Sequence, residues 1–154
     1  KTDKKKIDNI FKNNFLNHFF ITQKIIKNFK KNKRKKSLSI VNIGSIVGLK
    51  GFKNLSAYAS TKSALDGLTK SLAIEFAKDN IRLNIIHPGF IKTSYYKSFK
   101  RNKKKLYNWT LQKTPLGRWG ESKDVSQMII YLLSDKSNYI TGQSIAVDGG
   151  WTAF

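Results

Sequence analysis

A serine, a tyrosine and a lysine occur at a spacing that could serve acid–base chemistry. Ser45 follows a short apolar run, Tyr58 comes thirteen residues later, and Lys62 lies four residues after Tyr58. Residues i and i+4 share one face of a helix, so the spacing predicts that the Lys62 ammonium lies near the Tyr58 phenol. A nearby cation favours a phenolate, which makes the tyrosine a usable general acid or base. The three residues suit proton transfer to or from a carbonyl or alcohol oxygen while a hydride moves elsewhere.

Other catalytic arrangements fit the sequence less well. The segment 44–48 reads Gly-Ser-Ile-Val-Gly, which differs from the G-x-S-x-G turn of serine hydrolases. His18 and His87 are the only histidines, and neither is spaced with carboxylates as in a metal site, so both are interpreted as structural. The chain has no cysteine, which excludes thiolate chemistry and disulfides and favours a reducing compartment, so we expect a cytoplasmic protein.

The elements that must position these residues alternate between helix and strand. Apolar residues recur at helical spacing in some segments, and others are short β-branched runs. A polar break is predicted at 30–36, and at most short helices over the Lys-rich segment 92–121. Helices are predicted over 7–29, over 57–78 and from a cap at Ser122, and strands over 38–43, 82–87 and 144–147. Alternating strands and helices predict one α/β domain with a parallel sheet covered on both faces, in which ligands bind beyond the carboxyl ends of the strands.

The charge allows a second interpretation. The chain of 154 residues has a net charge of +21, concentrated in residues 1–36 and 92–113. Such a balance raises the possibility of a nucleic-acid or other polyanion site. However, 26 of the 30 basic residues are Lys and only four are Arg. Nucleic-acid readers favour Arg, whereas Lys accumulates with Asn and Ile when codons drift towards A and T, so drift is preferred over a selected polyanion site. No apolar stretch of the sequence reaches the length of a membrane span, and no membrane partner is expected.

The motifs together resemble the short-chain dehydrogenase/reductase family. The resemblance rests on several motifs in family order and extends over essentially the whole chain. They are Ser45, the Tyr58-x-x-x-Lys62 pair, Asn84, the segment 87–93 (His-Pro-Gly-Phe-Ile-Lys-Thr) and the closing Thr141-Gly142 and Val147-Asp148-Gly149-Gly150. The β-ketoacyl-carrier-protein reductases and the sugar or polyol dehydrogenases of the family are the most similar groups.

The resemblance implies a Rossmann-like doubly wound sheet and a role for each matching position. It implies that Tyr58 is the catalytic acid/base, that Lys62 supports it and bonds the nicotinamide ribose, and that Ser45 orients the substrate carbonyl. Asn14 matches the family's helix asparagine, which holds a proton-relay water. Cofactor contacts are implied for Tyr58 and Lys62 and for the backbone and Thr hydroxyl of the loop after the second strand, at Pro88, Gly89, Ile91 and Thr93.

One part of the family pattern does not occur in these residues. The chain has neither G-x-G-x-x-G nor the Asn-Asn-Ala-Gly turn that precedes the asparagine helix. The glycine-rich turn lets the backbone approach the pyrophosphate, and a residue about 20 positions later selects NAD or NADP. We therefore expect the chain to represent the carboxyl-terminal portion of the family's unit, with about three strands, and the remaining strands to precede Lys1.

The resulting hypothesis is an NAD- or NADP-dependent oxidoreductase that interconverts a secondary alcohol and a ketone. A 3-oxoacyl reductase, whose substrate is a small molecule or is bound to a carrier protein, is preferred over a sugar or polyol dehydrogenase. The remaining alternatives are a truncated remnant unable to hold the dinucleotide and a basic polyanion-binding protein. The family also implies a homodimer or homotetramer built on the two long helices.

Overall fold

The computed structural model describes residues 3–32 and 36–153. The chain enters as α1 (Lys4–Phe11), a π-helical turn (Lys12–Leu16) and α2 (Asn17–Lys31). Three parallel strands and four more helices follow: β1 (Leu38–Ile43), α3 (Ser56–Glu75), β2 (Ile81–Pro88), α4 (Tyr96–Asn102), α5 (Lys104–Lys113), α6 (Ser122–Leu133) and β3 (Ser144–Val147). Short 3₁₀ turns lie at Ile46–Gly48, Ala77–Asp79 and Asp135–Ser137. The predicted order of helices and strands is confirmed.

The three strands form one parallel sheet in the order β1-β2-β3. Leu38 pairs with Ile81 at one end of the β1–β2 ladder, and Ile43 pairs with Ile86 at the other. Parallel strands end at the same edge of a sheet. The loops after Ile43 and after Pro88 therefore leave the sheet side by side, as the family resemblance requires.

Helices cover both faces of this sheet. On one face α2 and α3 pack on β1 and β2 through a cluster of buried apolar side chains, which are Ile26, Phe29, Leu72, Ala73, Ile81 and Leu83. On the other face, Ser39 and Arg82 bond to the Leu132 carbonyl at the end of α6, at 2.8 and 3.1 Å. Successive strand residues point to opposite faces, so adjacent positions serve different helices. The Rossmann-like fold class is thereby confirmed for this part of the sheet.

The first helix differs from the prediction over 7–29. It begins at Lys4, and a π-helical turn interrupts its α-helical hydrogen bonding at Lys12–Leu16. Apolar spacing indicates a helical segment but does not show whether each backbone N–H bonds four or five residues back, so the turn could not be predicted. Within the predicted polar break at 30–36, Lys30 and Lys31 end α2, and residues 33–35 lie outside the described residues.

The start of α6 corrects one predicted detail. The N-cap is Glu121 and not Ser122. The Glu121 side chain accepts from the backbone N–H of Asp124, while the Asp124 side chain accepts from the Glu121 N–H at 2.7 Å in a reciprocal capping box. The bond from Arg118, followed by that backbone bond, lowers the pKa of Asp124 to about 2. Among the described residues, no helix is both long and apolar enough to cross a membrane.

Candidate active site

A groove of about 440 Å³ opens where β1 and β2 end. Six of the residues singled out from the sequence line it: Ser45, Tyr58, Pro88, Gly89, Ile91 and Thr93. Gly44 and the side chains of α6 at Ser122, Val125, Ser126 and Ile129 complete its walls. Residues separated by almost fifty positions in the sequence thus share one cavity. The contribution of α6 was not predicted, because its apolar periodicity explains packing as well as lining.

Ser45 is held in place by its own backbone and by a 3₁₀ turn. It stands in extended conformation just before the turn, and its Oγ accepts a hydrogen bond from the Val47 N–H at 3.2 Å. Its backbone N–H donates to His87 Nδ1 at 3.2 Å. Because the hydroxyl oxygen accepts from Val47, the hydroxyl hydrogen remains available to donate into the groove.

Tyr58 and Lys62 occupy successive turns at the start of α3. Lys62 Nζ lies 5.8 Å from the centre of the Tyr58 ring and donates to the Ile43 carbonyl at 2.9 Å. Lys62 is only 7% exposed, and burial lowers the pKa of its ammonium. The carbonyl bond uses one of three ammonium hydrogens, which leaves two donors for other partners. In the described part of the chain, no side chain bonds to the Tyr58 hydroxyl.

Asn14 lies in the π-helical turn, beyond the walls of the groove. Its amide Nδ2 donates to the Ile10 carbonyl at 3.0 Å. In an α-helix that carbonyl would accept the backbone N–H of Asn14, but π-helical bonds reach one residue further back. The side chain therefore satisfies a carbonyl that the turn frees, and its own Oδ1 accepts from no other described residue. This turn contacts α3, the helix that carries Tyr58 and Lys62.

His18 follows Asn14 by one helical turn and was not assigned a site role from the sequence. Burial, followed by the positive charge of Lys62, lowers the pKa of its imidazole. Its Nδ1 is buried and bonds to no other described residue. The Lys62 ammonium is therefore close enough to His18 to disfavour a positive charge on its imidazole.

The loop after β2 is fixed by close backbone approaches. Gly89 donates to the Val147 carbonyl at 3.0 Å, and a Cβ on Gly89 would lie 2.7 Å from the Asp148 Cα. Two residues on, Ile91 forms a bridge with Gly120, and the Lys92 N–H donates to the Gly120 carbonyl at 2.8 Å. These bonds hold the segment from Pro88 to Thr93 along one wall of the groove.

A polar cluster behind the groove was missed by the sequence reasoning. His87 Nε2 lies 3.1 Å from Asp66 Oδ1 and 3.1 Å from Ser144 Oγ, and Ser144 also bonds to Asp66. On its other side, His87 Nδ1 lies 3.2 Å from the backbone nitrogen of Ser45 and 2.9 Å from its carbonyl oxygen. His87 is fully buried, so its contacts with Asp66 on α3 and Ser144 on β3 fix the position of Ser45 relative to these two elements. The interpretation of His87 as structural agrees with these contacts.

Comparisons with known proteins identify the family. The family model described as enoyl-(acyl carrier protein) reductase matches residues 1–152. The chain is 38% identical over 146 residues to a 3-oxoacyl-[acyl-carrier-protein] reductase of Buchnera aphidicola, which covers 95% of this chain and 57% of the relative. It is 44% identical over 115 residues to trans-4-hydroxycyclohexanecarboxylate dehydrogenase of Sinomonas cyclohexanicum, covering 75% of this chain and 41% of that protein.

Solved structures agree with these relatives. A 4-hydroxyisoleucine dehydrogenase complexed with NADH superposes with a TM-score of 0.92 at 36% identity, covering 99% of this chain and 61% of that one. A putative 2-deoxy-d-gluconate 3-dehydrogenase from Agrobacterium tumefaciens with bound NADP gives 0.91 at 32% identity, covering 100% and 61%. The chain thus spans about half the length of the curated relatives and 61% of the length of these two solved structures. On the family match and the shared fold, it belongs to the short-chain dehydrogenase/reductase family.

Proposed function

We propose that the protein is an oxidoreductase that interconverts a secondary alcohol and a ketone with NAD or NADP. The observation that carries the proposal is the single groove into which Ser45 and Tyr58 both open, with Lys62 buried beside the tyrosine. The groove offers the hydroxyls of Ser45 and Tyr58 to a carbonyl oxygen, none of its lining residues is a carboxylate, and the described residues contain no metal-binding cluster. Such a site is suited to exchanging a proton with an alcohol oxygen.

In this proposal Tyr58 donates its hydroxyl proton to the ketone oxygen in the reducing direction and takes it back in the oxidising direction. Ser45 donates a second hydrogen bond to the same oxygen, since its lone pair is engaged by Val47. The buried Lys62 ammonium stabilises negative charge on the phenol oxygen while the proton is away. Its bond to the Ile43 carbonyl fixes it at that position.

Asn14 and Lys62 are proposed to lead the proton to solvent. The free Oδ1 of Asn14 can accept from an ordered water, and the open Lys62 N–H groups can donate to one. Because Asn14 lies in the π-helical turn, its position departs from ordinary α-helical geometry. Such turns are frequent at functional sites. The relay then runs from Tyr58 through Lys62 to Asn14.

The groove is also suited to the nicotinamide end of a dinucleotide, which supplies or accepts the hydride when bound. The wall at Pro88, Gly89 and Ile91 presents backbone and apolar surface, and Thr93 adds a hydroxyl. Tyr58 has no described partner for its hydroxyl, and Lys62 has spare donors for a ribose. Solved neighbours carry NADH or NADP, so both cofactors are proposed without preference.

Within this reaction class we favour a 3-oxoacyl reductase. Relatives of that name match up to 95% of the chain, whereas the cyclohexane-carboxylate enzyme matches 75%. A dehydrogenase of sugars or polyols is the second candidate, supported by the 2-deoxy-d-gluconate neighbour. A third is a remnant that retains these side chains without binding dinucleotide.

An assay with paired substrates separates these candidates. Residues 1–154, within the longest natural reading frame that contains them, are incubated with NADH or NADPH and either a 3-oxoacyl thioester or a keto-sugar. We expect faster cofactor oxidation with the thioester. Faster reaction with the keto-sugar would favour the second candidate, and no oxidation with any ketone would favour the remnant.

We further propose that two copies associate through α2 and α3. An open groove of about 1270 Å³ runs between these helices and is lined by aromatic and aliphatic side chains such as Phe15, Phe19 and Phe76, together with polar residues that include four lysines. Phe20 is 60% exposed beside it. Contiguous apolar surface of this kind is typical of a protein–protein interface, and a twofold axis would bury both helices against their copies. A homodimer or homotetramer follows.

A further inference from the structure

A second groove, of about 470 Å³, lies between α4 and α5 and is separate from the candidate active site. Two short helices form its walls. The side chains that matter for its chemistry are Tyr96, Lys97, Lys100, Arg101, Lys104 and Tyr107. Four cations and two phenols therefore surround one small cavity.

The charge of this groove is not balanced by nearby carboxylates. Residues 92–113 contain eight Lys or Arg and no Asp or Glu. Within residues 3–32 and 36–153, no carboxylate forms an ion pair with the four cations of the groove, whereas Lys92 reaches Glu121 at 3.5 Å. Like charges repel each other at short range, so an anion bound between these four cations would reduce the electrostatic repulsion among them.

The two phenols of the groove lie beside each other and close to a cation. The hydroxyls of Tyr96 and Tyr107 lie 3.1 Å apart, and Lys100 Nζ lies 5.4 Å from the centre of the Tyr107 ring. The bond from Tyr107, reinforced by Lys100 and Lys92 against the effect of burial, lowers the pKa of Tyr96, whereas the same bond raises the pKa of Tyr107. The same positive field and hydroxyl donors would act on the oxygens of a bound anion.

A rigid aromatic base fixes the position of these phenols. The buried Trp119 ring lies 5.3 Å from that of Tyr96 and 5.5 Å from that of Tyr107, measured between centroids. Trp119 is itself fixed by a 2.7 Å bond from Nε1 to the Thr110 hydroxyl. The groove is consequently preorganised, which reduces the entropy lost when a ligand binds.

We propose that this groove binds a phosphate group carried by the substrate. Arg and Lys with hydroxyl donors are the groups that bind phosphate oxygens, and Arg101 can do so in bidentate fashion. The helix α4 begins three residues after Thr93, which lines the candidate active site. Lys100 lies on the second turn of α4, about 6 Å along the helix axis from its first residue at the helical rise. The groove therefore begins close to the candidate active site, and an extended substrate can reach both. The proposal rests on the proposed function for the identity of the ligand as substrate.

Calorimetric titration of the purified protein tests the site without any turnover. The probes are inorganic phosphate and the matched pair phosphopantetheine and pantetheine, which differ by one phosphate. We expect phosphopantetheine to bind at least about tenfold more tightly than pantetheine, and inorganic phosphate to compete with it. Equal affinity for the two compounds would overturn the proposal, yet it would leave the reductase assay unaffected.

Two double variants separate a specific site from general attraction to a basic protein. One double variant, Lys100→Ala with Lys104→Ala, removes two cations from the groove. The other, Lys78→Ala with Lys136→Ala, removes two positive charges from the surface outside the groove. Only the first is expected to weaken phosphopantetheine binding by about tenfold or more. Equal weakening by both variants would contradict a built site. Tyr107→Phe, which keeps every charge, should weaken binding by a smaller factor, and circular dichroism checks that each variant is folded.

Discussion

At the residue scale, the position of Ser45 depends on side chains far from it in sequence. The candidate serine and tyrosine could be predicted from type and spacing, since the sequence places both at loop or helix ends beside a strand. The supporting cluster could not, because Asp66 and Ser144 lie 21 and 57 residues from His87. No local pattern marks a hydrogen bond formed only when three elements pack together. Two predictions concern this cluster and its neighbour Gly44.

Gly44→Ala should destabilise the protein. A Cβ at this position would lie 2.5 Å from Nδ1 of the buried His87 ring, which has no room to move. The expected loss in the free energy of unfolding is about 1–3 kcal/mol, as for other overpacked sites. Gly51→Ala is the control, since its Cβ meets nothing within 4 Å. Denaturant unfolding of the two variants measures the difference, and equal stabilities would argue against the described contact.

Asp66→Asn should destabilise the protein in a pH-dependent manner. Burial opposes ionisation of Asp66, but the bonds from Lys70, Ser144 and His87 outweigh it and lower its pKa. A depressed carboxyl pKa stabilises the fold above the unfolded value near 4, and this contribution disappears as pH falls through the folded value. The variant should therefore lose about 1–3 kcal/mol at pH 7 and less in acid.

Unfolding curves of wild type and Asp66→Asn over a pH series check this expectation. The gap between the two proteins must narrow as the pH falls below about 4. A gap that stays constant, or that widens in acid, would mean that the Asp66 charge does not stabilise the folded state. The neighbouring pair with Lys70, at 2.7 Å, is partly exposed and contributes less.

At the element scale, periodicity located all three strands and the long helices. Strands β1 and β3 have the predicted limits, and β2 is one residue longer at each end than predicted. The π-helical turn around Asn14 and the Glu121 cap could not be predicted, because each depends on which backbone group is left without a partner. The two helices α2 and α3 carry a prediction of their own.

Phe20→Asp should prevent assembly without unfolding the subunit. Its ring is largely exposed in the single chain and borders the apolar groove of α2 and α3, so a charge there affects an interface more than the core. Ile130→Asp on α6, at 67% exposed, is the matched control. Light scattering should give a dimer or tetramer for wild type and control and a monomer for Phe20→Asp. A monomeric wild type at micromolar concentration would contradict the proposed assembly.

At the scale of the whole molecule, these residues hold the candidate active-site groove on a small sheet. The three strands leave the outer edge of β1 without a described partner strand. The solved neighbours are longer, and this chain covers 61% of them. The sequence also lacks the glycine-rich turn that brings backbone close to a pyrophosphate.

The 154 residues alone should therefore bind dinucleotide weakly. In the proposed function the groove holds the nicotinamide end, but the phosphates would find no helix N-terminus behind a glycine-rich loop in this sequence. We expect dissociation constants for NADH and NADPH above about 100 μM, measured by the fluorescence of the reduced ring. Low-micromolar binding would show that the catalytic part suffices for cofactor recognition.

Turnover by Tyr58→Phe tests the central claim most directly. The substitution removes only the hydroxyl that opens into the groove, and Tyr139→Phe, at a fully exposed site, removes a hydroxyl outside it. Both variants are compared with wild type in NAD(P)H oxidation, in the longest natural reading frame containing residues 1–154. We expect kcat to fall by about 10²–10⁴-fold for Tyr58→Phe and to be unchanged for Tyr139→Phe. A Tyr58→Phe protein that turns over within a few-fold of wild type would contradict the assignment of Tyr58 as the acid/base.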